Sequence, residues 1–466
     1  MMVSPPVPAI SGADFDVVIV GSGVAGALIG ARLAEAGARV VLVEAGPRTD
    51  RAEAVEGFRG GAYPYPSTDW APQPSRPGYI VQGGPVNWTG SYVRRVGGST
   101  WHWLGNCPRL LPSDFEMKTR FGVGVDWPIS YDDLEAWYGI AEQELGVAGD
   151  DEAETGSPRS SPYPMPPIPL SSGDLLFTEA AAAMGLRLAP IPQARNSVDG
   201  YQGRPICCGN ATCYPICPIQ AKYDATIHVD LAERAGARVI ENAVVFRVDV
   251  NRAGKVTGIR YRTPDRDAHT ITGRIYVIAA NGVETPKLLL ISRSEATPNG
   301  VANTSDLVGR NLSDHLTAIT NAISPRPYRG TRGPLQLAGF DEMREGDFRA
   351  ERAAFAGQIN HSVGNPLALA RQLIRQGLAG PELFQRIGDT APYQVGLAAL
   401  LEQLPDPANR IVPDETQTDA LGIPLPNIIY AIDDYTRAGK TAADALNARL
   451  LDAIGAIDRV ASDDMV

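Results

Sequence analysis

The chain has 466 residues, 44% hydrophobic and 20% charged, which is the composition of a folded globular protein and excludes wholesale disorder. Its 42 basic and 53 acidic side chains leave a formal net charge of −11, which repels phosphate backbones and anionic lipid and argues against nucleic-acid and membrane-surface binding. No apolar run is long enough to span a membrane, and this length fits one large two-lobed enzyme.

Residues 1–13 read as a Pro-containing leader without periodicity. A compact strand–turn–helix–strand follows. It comprises a strand over 16–20, the turn Gly21-Ser22-Gly23-Val24-Ala25-Gly26, an Ala- and Leu-rich helix over 25–36, and a strand over 39–43 ending at Glu44. Residues 57–90 are dense in Gly, Pro, Tyr and Trp and predict a long ordered excursion. A further helix is predicted up to Leu145, with Ser130 as its N-cap. An acidic patch (Asp150, Asp151, Glu152, Glu154) precedes six prolines between Pro158 and Pro169, where a lobe boundary is placed. Val244–Val250, Val256–Arg262 and residues 271–280 alternate like three strands, the first two joined by a Gly-containing turn. The last segment, from Thr441 to about Ala453, reads as an amphipathic helix.

The glycines of the first turn form G-x-G-x-x-G between a strand and a helix. Gly21 permits the tight turn, Gly23 lets backbone approach a pyrophosphate at the helix N-terminus, and Gly26 lets helix and strand pack closely. Val24 and Ala25 complete the fingerprint. Glu44 is placed to accept hydrogen bonds from a ribose 2′-OH and would repel the 2′-phosphate of NADP. An accidental Gly-rich turn is the competing reading of the glycines alone. The strands at 244–280 favour FAD over NAD, because an inserted meander followed by a return strand is typical of flavoproteins.

Four of five cysteines, Cys207, Cys208, Cys213 and Cys217, fall within eleven residues, while Cys107 stands alone and reads as a core residue. Such clustering points to a local metal or cluster site. The paired C-x₂-C spacing of zinc sites is absent, and the Pro after the final Cys matches iron–sulfur loops. Buried or disulfide-bonded structural cysteines are the alternative.

Taken together, these motifs resemble the glucose-methanol-choline (GMC) oxidoreductases, and within them the large subunits of bacterial FAD-dependent sugar and polyol dehydrogenases. The resemblance runs from about residue 14 to about 457. It rests on Arg94-Arg95-Val96-Gly97-Gly98-Ser99-Thr100-Trp101-His102-Trp103, Asp126-Trp127-Pro128-Ile129, the cysteine cluster and Ala279-Ala280-Asn281-Gly282-Val283-Glu284-Thr285-Pro286-Lys287. Val308-Gly309-Arg310-Asn311-Leu312-Ser313-Asp314-His315, Asn409-Arg410-Ile411-Val412-Pro413 and Tyr430-Ala431-Ile432-Asp433-Asp434-Tyr435 extend it. It implies that Gly97, Gly98, Ser99, Thr100, His102 and Trp103 pass along the flavin, that Val244 lies at the adenine side, and that Ala280 belongs to the cofactor site. Asn311 and His315 are structural or near the flavin. It further implies a 3Fe–4S cluster held by three of Cys207, Cys208, Cys213 and Cys217.

The fold class expected is α/β. A Rossmann-like FAD-binding domain with an inserted β-meander is built from 14–157 and 231–315. An α+β substrate domain is built from 158–230, with the cysteine cluster, and 316–466. The activity implied is oxidation of a CH–OH group of a sugar or polyol, with hydride passing to flavin N5 and electrons leaving through the cluster to a cytochrome or dye. A truncated, non-catalytic flavin-binding homologue and an oxygen-using sugar oxidase are the alternatives. Implied partners are a small twin-arginine-exported chaperone-like subunit and a multihaem cytochrome c subunit. No Lys or Arg precedes Arg32, so no signal of the chain's own is expected. Location is then the periplasm by co-export, or otherwise the cytoplasm. The histidines are His102, His228, His269, His315 and His361. The family carries its catalytic His and Asn in a later segment, which is expected to be missing, so no catalytic base is named.

Overall fold

Val17-Val18-Ile19-Val20 offers no polar residue to either face, so a strand made from it must be covered on both sides. The computed structural model describes residues 15–462 except 61–77, 91, 210, 331, 362, 364 and 365, and there this strand, β1 (Phe15–Val20), lies inside a parallel sheet. Its neighbours are β2 (Val40–Val43) on one side and the strand Gly273–Ile278 on the other, and β2 pairs in turn with Arg238–Ile240. Val17 and Ile19 face a helical layer in which Ala31 and Ala34 of α1 (Val24–Glu35) meet Ala232 of the helix Thr226–Arg234. Val18 and Val20 face the opposite layer, an antiparallel meander whose Val248, Ile259, Tyr261 and Ile271 close the other side.

The meander corrects one expectation. Its strands are Val244–Val250, Val256–Arg262 and Ala268–Ile271, while Gly273–Ile278, most of the run 271–280, belongs to the parallel sheet. The apolar alternation continues through Thr272, so the sequence reads as one strand. The chain ends one sheet at Ile271 and starts another at Gly273, where an added Cβ would meet the Val18 side chain at 2.8 Å. The first hairpin closes where it was placed, with Asn251 N–H donating to the Lys255 carbonyl at 2.9 Å.

The second lobe is built on a six-stranded sheet ordered Ile457–Ala461, Thr317–Ile323, Gln394–Leu401, Phe355–Ile359, Ala338–Phe340 and Ala189–Pro190, with each neighbouring pair antiparallel. Ala443, Leu446 and Leu450 of the terminal helix pack on Ala318, Phe355, Leu397 and Ala399. That helix runs Asp434–Ala453, seven residues longer at its start than its apolar periodicity suggests. Asp433 caps it by accepting the Thr436 N–H at 2.6 Å, and Gly439 lets it approach Ala353, whose Cβ would lie 2.6 Å from an added one. The Pro-rich stretch after residue 157 is packed against its neighbours. Arg159 pairs with Glu142, Tyr163 N–H donates to Asp151 at 2.8 Å, and Met165 is buried. The leader and half of the 57–90 excursion, residues 61–77, lie outside the described residues. Within the rest, residues 51–60 form the helix Arg51–Gly60 and residues 81–82 pair with the strand Pro424–Ile429. No helix among the described residues is long and apolar enough to cross a membrane.

Ser130 caps the helix Tyr131–Leu145 reciprocally. Its hydroxyl accepts the Asp133 N–H at 3.3 Å, and the Asp133 carboxylate accepts the Ser130 N–H at 2.8 Å. Ser130→Ala is expected to lower stability by about 1 kcal/mol, read as a lower denaturant midpoint at unchanged slope. An unmoved midpoint would show that this cap contributes nothing.

Candidate nucleotide site and cysteine loop

The turn after β1 opens on a cavity of about 400 Å³ between the parallel sheet, the meander and the loop that follows residue 92. Each glycine of the turn has a different steric role. Gly21 holds φ +96°, and an added Cβ would sit 2.5 Å from the Ala279 carbonyl oxygen. At Gly26 a Cβ would collide with the Gly21 carbonyl, so strand and helix are in backbone contact there. At Gly23 a Cβ would meet nothing within 4 Å, and the residue lines the cavity. Gly23 is also the N-cap of α1 and supplies no capping side chain, so the first-turn N–H groups beside Val24 and Ala25 face the cavity uncapped. A helix N-terminus in that state favours an anion through its free N–H groups and its dipole.

Glu44 is the pin of the site. Ser22 donates its N–H at 3.0 Å and its hydroxyl at 2.7 Å to Glu44 Oε2, and Gly46 N–H donates to Oε1 at 3.0 Å. Ser22 Oγ in turn accepts the Gly97 N–H at 3.3 Å, which docks the Gly97–Gly98 loop on the turn. Gly98 crosses so close that an added Cβ would lie 3.0 Å from Gly23 Cα. Burial holds the Glu44 carboxyl above its ordinary value, although these hydrogen bonds pull against it.

Of the residues expected at a nucleotide, Gly21, Gly23, Val24, Ala25, Glu44, Gly98, Ser99, Thr100, Val244 and Ala280 line this one cavity. Gly26, Gly97, His102 and Trp103 do not. Gly26 and Gly97 are the close contacts behind the lining. His102 turns away, its Nδ1–H donating to the Pro215 carbonyl at 2.8 Å, and burial lowers its ring to about 4, so it is neutral. Trp103 Nε1–H donates to the Tyr223 carbonyl at 2.7 Å.

The sequence reading left out a buried polar cluster on the cavity wall. Glu284 accepts from Tyr79, Tyr92 and Arg94 on Oε1 and pairs with Lys287 at 2.7 Å on Oε2. Burial alone would raise its carboxyl, but Lys287 and Arg94 hold it down at about 2. Arg94 lines the cavity, yet its charge is committed to Glu284, which leaves anion binding to the N-terminus of α1. Asn281, at φ +69°, accepts the Val283 and Glu284 N–H groups and opens a second helix onto the same cavity. Asn281 and Glu284 stand in the motif quoted above, but no local rule pairs Glu284 with residues 79, 92 and 94.

No histidine lines this cavity. His228 lies between Tyr223 and Glu144, His315 Nδ1 contacts the Leu401 carbonyl, and His269 stacks on Tyr261. His361 is buried against Asp174 at 2.6 Å and Tyr328 at 3.2 Å.

The cysteine loop lies behind the Thr100–Trp103 backbone, with Ile216 packed on Trp101. No two of the five cysteines are joined by a disulfide. Cys213 is buried, Cys207 and Cys217 half-buried, and Cys208 exposed. Among the described residues no three His, Cys, Asp or Glu side chains converge as a ready metal site. Cys107 is held apart near Gly105, where burial raises its thiol to about 12.

Comparison with known proteins sets this geometry in context. The model of the GMC oxidoreductase family matches residues 16–317. The chain is 40% identical over 445 residues to the fructose dehydrogenase large subunit of Gluconobacter japonicus, covering 92% of this chain and 81% of that one. It is 32% identical over 354 residues to the 6‴-hydroxyparomomycin C oxidase of Streptomyces lividus, covering 70% of this chain and 60% of that one. The crystal structure of pyridoxine 4-oxidase from Mesorbium loti superposes with a TM-score of 0.56 at 19% identity, covering 95% of this chain and 81% of that one.

Gly23→Val and Gly26→Ala separate the two steric roles. Gly23→Val is expected to fold but to be purified without FAD, melting below the FAD-loaded protein. Gly26→Ala is expected to lose about 1–3 kcal/mol of stability from the forced strand–helix separation. Stoichiometric FAD in folded Gly23→Val protein would remove the cavity from consideration as the pyrophosphate site.

Proposed function

The chain belongs to the GMC oxidoreductase family, and on that premise we propose that it is an FAD-dependent dehydrogenase of sugar or polyol CH–OH groups. The observation that carries the reading is the single cavity onto which the Gly21–Ala25 turn, Glu44, the Gly98–Thr100 loop, Val244 and Ala280 all open. These residues fit FAD. The N-terminus of α1 receives the pyrophosphate, Glu44 takes the ribose hydroxyls while anchoring Ser22, and the Gly98 loop follows the flavin with no side chain in the way. When bound, FAD supplies the hydride acceptor for alcohol oxidation. The substrate class comes from likeness to the fructose dehydrogenase large subunit, at 40% identity.

The cysteine loop supports the finer reading of a dehydrogenase over an oxygen-using oxidase. Its donor set fits a 3Fe–4S cluster. Four soft thiol donors sit on one short loop with no disulfide among them, and buried cations stand beside them. A cluster there supplies a one-electron exit toward a cytochrome or dye, which an enzyme using oxygen at its flavin does not require. The relative named as a large subunit supports further subunits. We propose the small chaperone-like subunit and the multihaem cytochrome c as partners, with the periplasm reached by co-export.

Two measurements test these readings. Sugar or polyol added without oxygen is expected to bleach the flavin of the purified holoprotein, and a dye to restore its colour. Rapid hydrogen peroxide formation in air would favour the oxidase instead. Protein prepared without oxygen is expected to hold about three irons per chain and to give a resonance signal near g = 2 (about 2) when oxidised. Replacing Cys207 and Cys208 with Ser is expected to remove the iron and leave FAD bound. Zinc, or a disulfide map with no iron, would end the cluster reading.

A further inference from the structure

The cysteine loop is packed against a surplus of buried positive charge. Arg195 is 1% exposed. Its Nη2 donates to the Leu104 carbonyl at 2.8 Å, while Nε and Nη1 are buried with no partner among the described residues. Arg204 is similarly buried and gives Nη1 and Nη2 to the carbonyls of Ala221 and Leu145, with Nε unpartnered. Lys222 spends its three protons on the carbonyls of Thr100, Trp101 and Trp103. Arg95, wholly buried, lies over the Trp101 ring at 4.0 Å with no hydrogen-bond partner for any guanidinium nitrogen among the described residues. Asp224 offsets Arg95, Arg204 and Lys222, and it is already paired with Arg51 at 2.5 Å.

These cations are tied to the loop. Cys207 N–H donates to the carbonyl of Asn196, the neighbour of Arg195, at 2.9 Å. Arg195 and Lys222 form an antiparallel bridge, and Arg51 Nη1 donates to the Cys217 carbonyl at 3.0 Å. Arg195 lies within electrostatic reach of Cys207, Lys222 of Cys213 and Cys217, and Arg204 of Cys217. A guanidinium buried with two nitrogens unpaired is strongly unfavourable unless opposite charge lies close by. Neutral thiols do not provide it. Metal-bound thiolates do, because coordination removes the thiol proton outright.

We infer that Arg195, with Arg204 and Lys222, is the built-in counter-charge of an anionic metal–thiolate cluster on this loop and sets its reduction potential. The inference rests on the cluster reading given above. Reduction adds negative charge to the cluster, so a nearby fixed cation stabilises the reduced form and raises the potential; removing the cation lowers it.

The test is a potentiometric titration of the holoprotein followed by paramagnetic resonance for the cluster and by absorbance for the flavin. Arg195→Gln is expected to retain iron and to lower the reduced-to-oxidised ratio of the cluster at fixed potential about tenfold, or about 59 mV for a one-electron couple. The flavin midpoint is expected to stay where it is. Arg195→Lys keeps the charge and is expected to restore most of the shift. If Arg195→Gln does not fold, Arg204→Gln, at the Cys217 end, is expected to show the same downward shift. Iron retained at an unmoved midpoint, or a flavin midpoint that moves while the cluster's does not, overturns the inference. Loss of iron from the Gln variant but not the Lys variant supports it, whereas loss from both marks a purely structural role and overturns it. Wild-type protein without iron overturns the cluster reading itself, and the inference falls with it.

Discussion

The cavity depends on one buried carboxylate. Glu44 stands at the end of β2, and its two oxygens hold Ser22 of the turn and Gly46 of the following loop. Ser22 passes the constraint on to Gly97, so three separate stretches of chain converge on a single side chain. A buried carboxylate that accepts several hydrogen bonds is expensive to leave half-satisfied, which makes the arrangement close to all-or-none. The same side chain lines the cavity. Anchoring the turn and lining the cavity are therefore tasks for one group.

The loop at residues 97–103 has two faces, and they do different work. Gly98, Ser99 and Thr100 look into the cavity. The carbonyls of Thr100, Trp101 and Trp103 look the other way and accept the Lys222 protons, while His102 holds the carbonyl of Pro215. Thr100 joins the two sides, since its hydroxyl donates to the Gly97 carbonyl and accepts the Ala225 N–H. Cavity wall and cysteine loop thus share one hydrogen-bonded backbone.

Charge is handled differently on the two sides of that loop. At the cavity, Glu284 is matched by Lys287 and Arg94 and by the hydroxyls of Tyr79 and Tyr92, so the wall is polar but balanced. Behind the loop, Arg95, Arg204 and Lys222 face Asp224 with Arg195 beside Lys222, and among the described residues the balance is positive. A buried charge without an opposite charge close by is costly in a folded protein.

Several elements were legible from the chain alone. The β1–turn–α1–β2 unit, the Glu44 position, the Ser130 cap and the 251–255 hairpin all depend on residues within a few positions of one another. The same is true of the clustering of Cys207, Cys208, Cys213 and Cys217. Local sterics and periodicity decide such features before the chain has a tertiary neighbour. Other features were not legible. His102 sits inside a motif that passes the cavity, yet it points at Pro215, 113 residues away. Glu284 meets Tyr79 across 205 residues. The run 271–280 divides between two sheets, and the helix that Asp433 caps at Asp434 comes close to Ala353 at Gly439. The sequence by itself determined where a nucleotide-binding turn and a thiol-rich loop occur. Only the tertiary structure decided which way each side chain faces and which buried charges remain unbalanced, because long-range packing and desolvation set both.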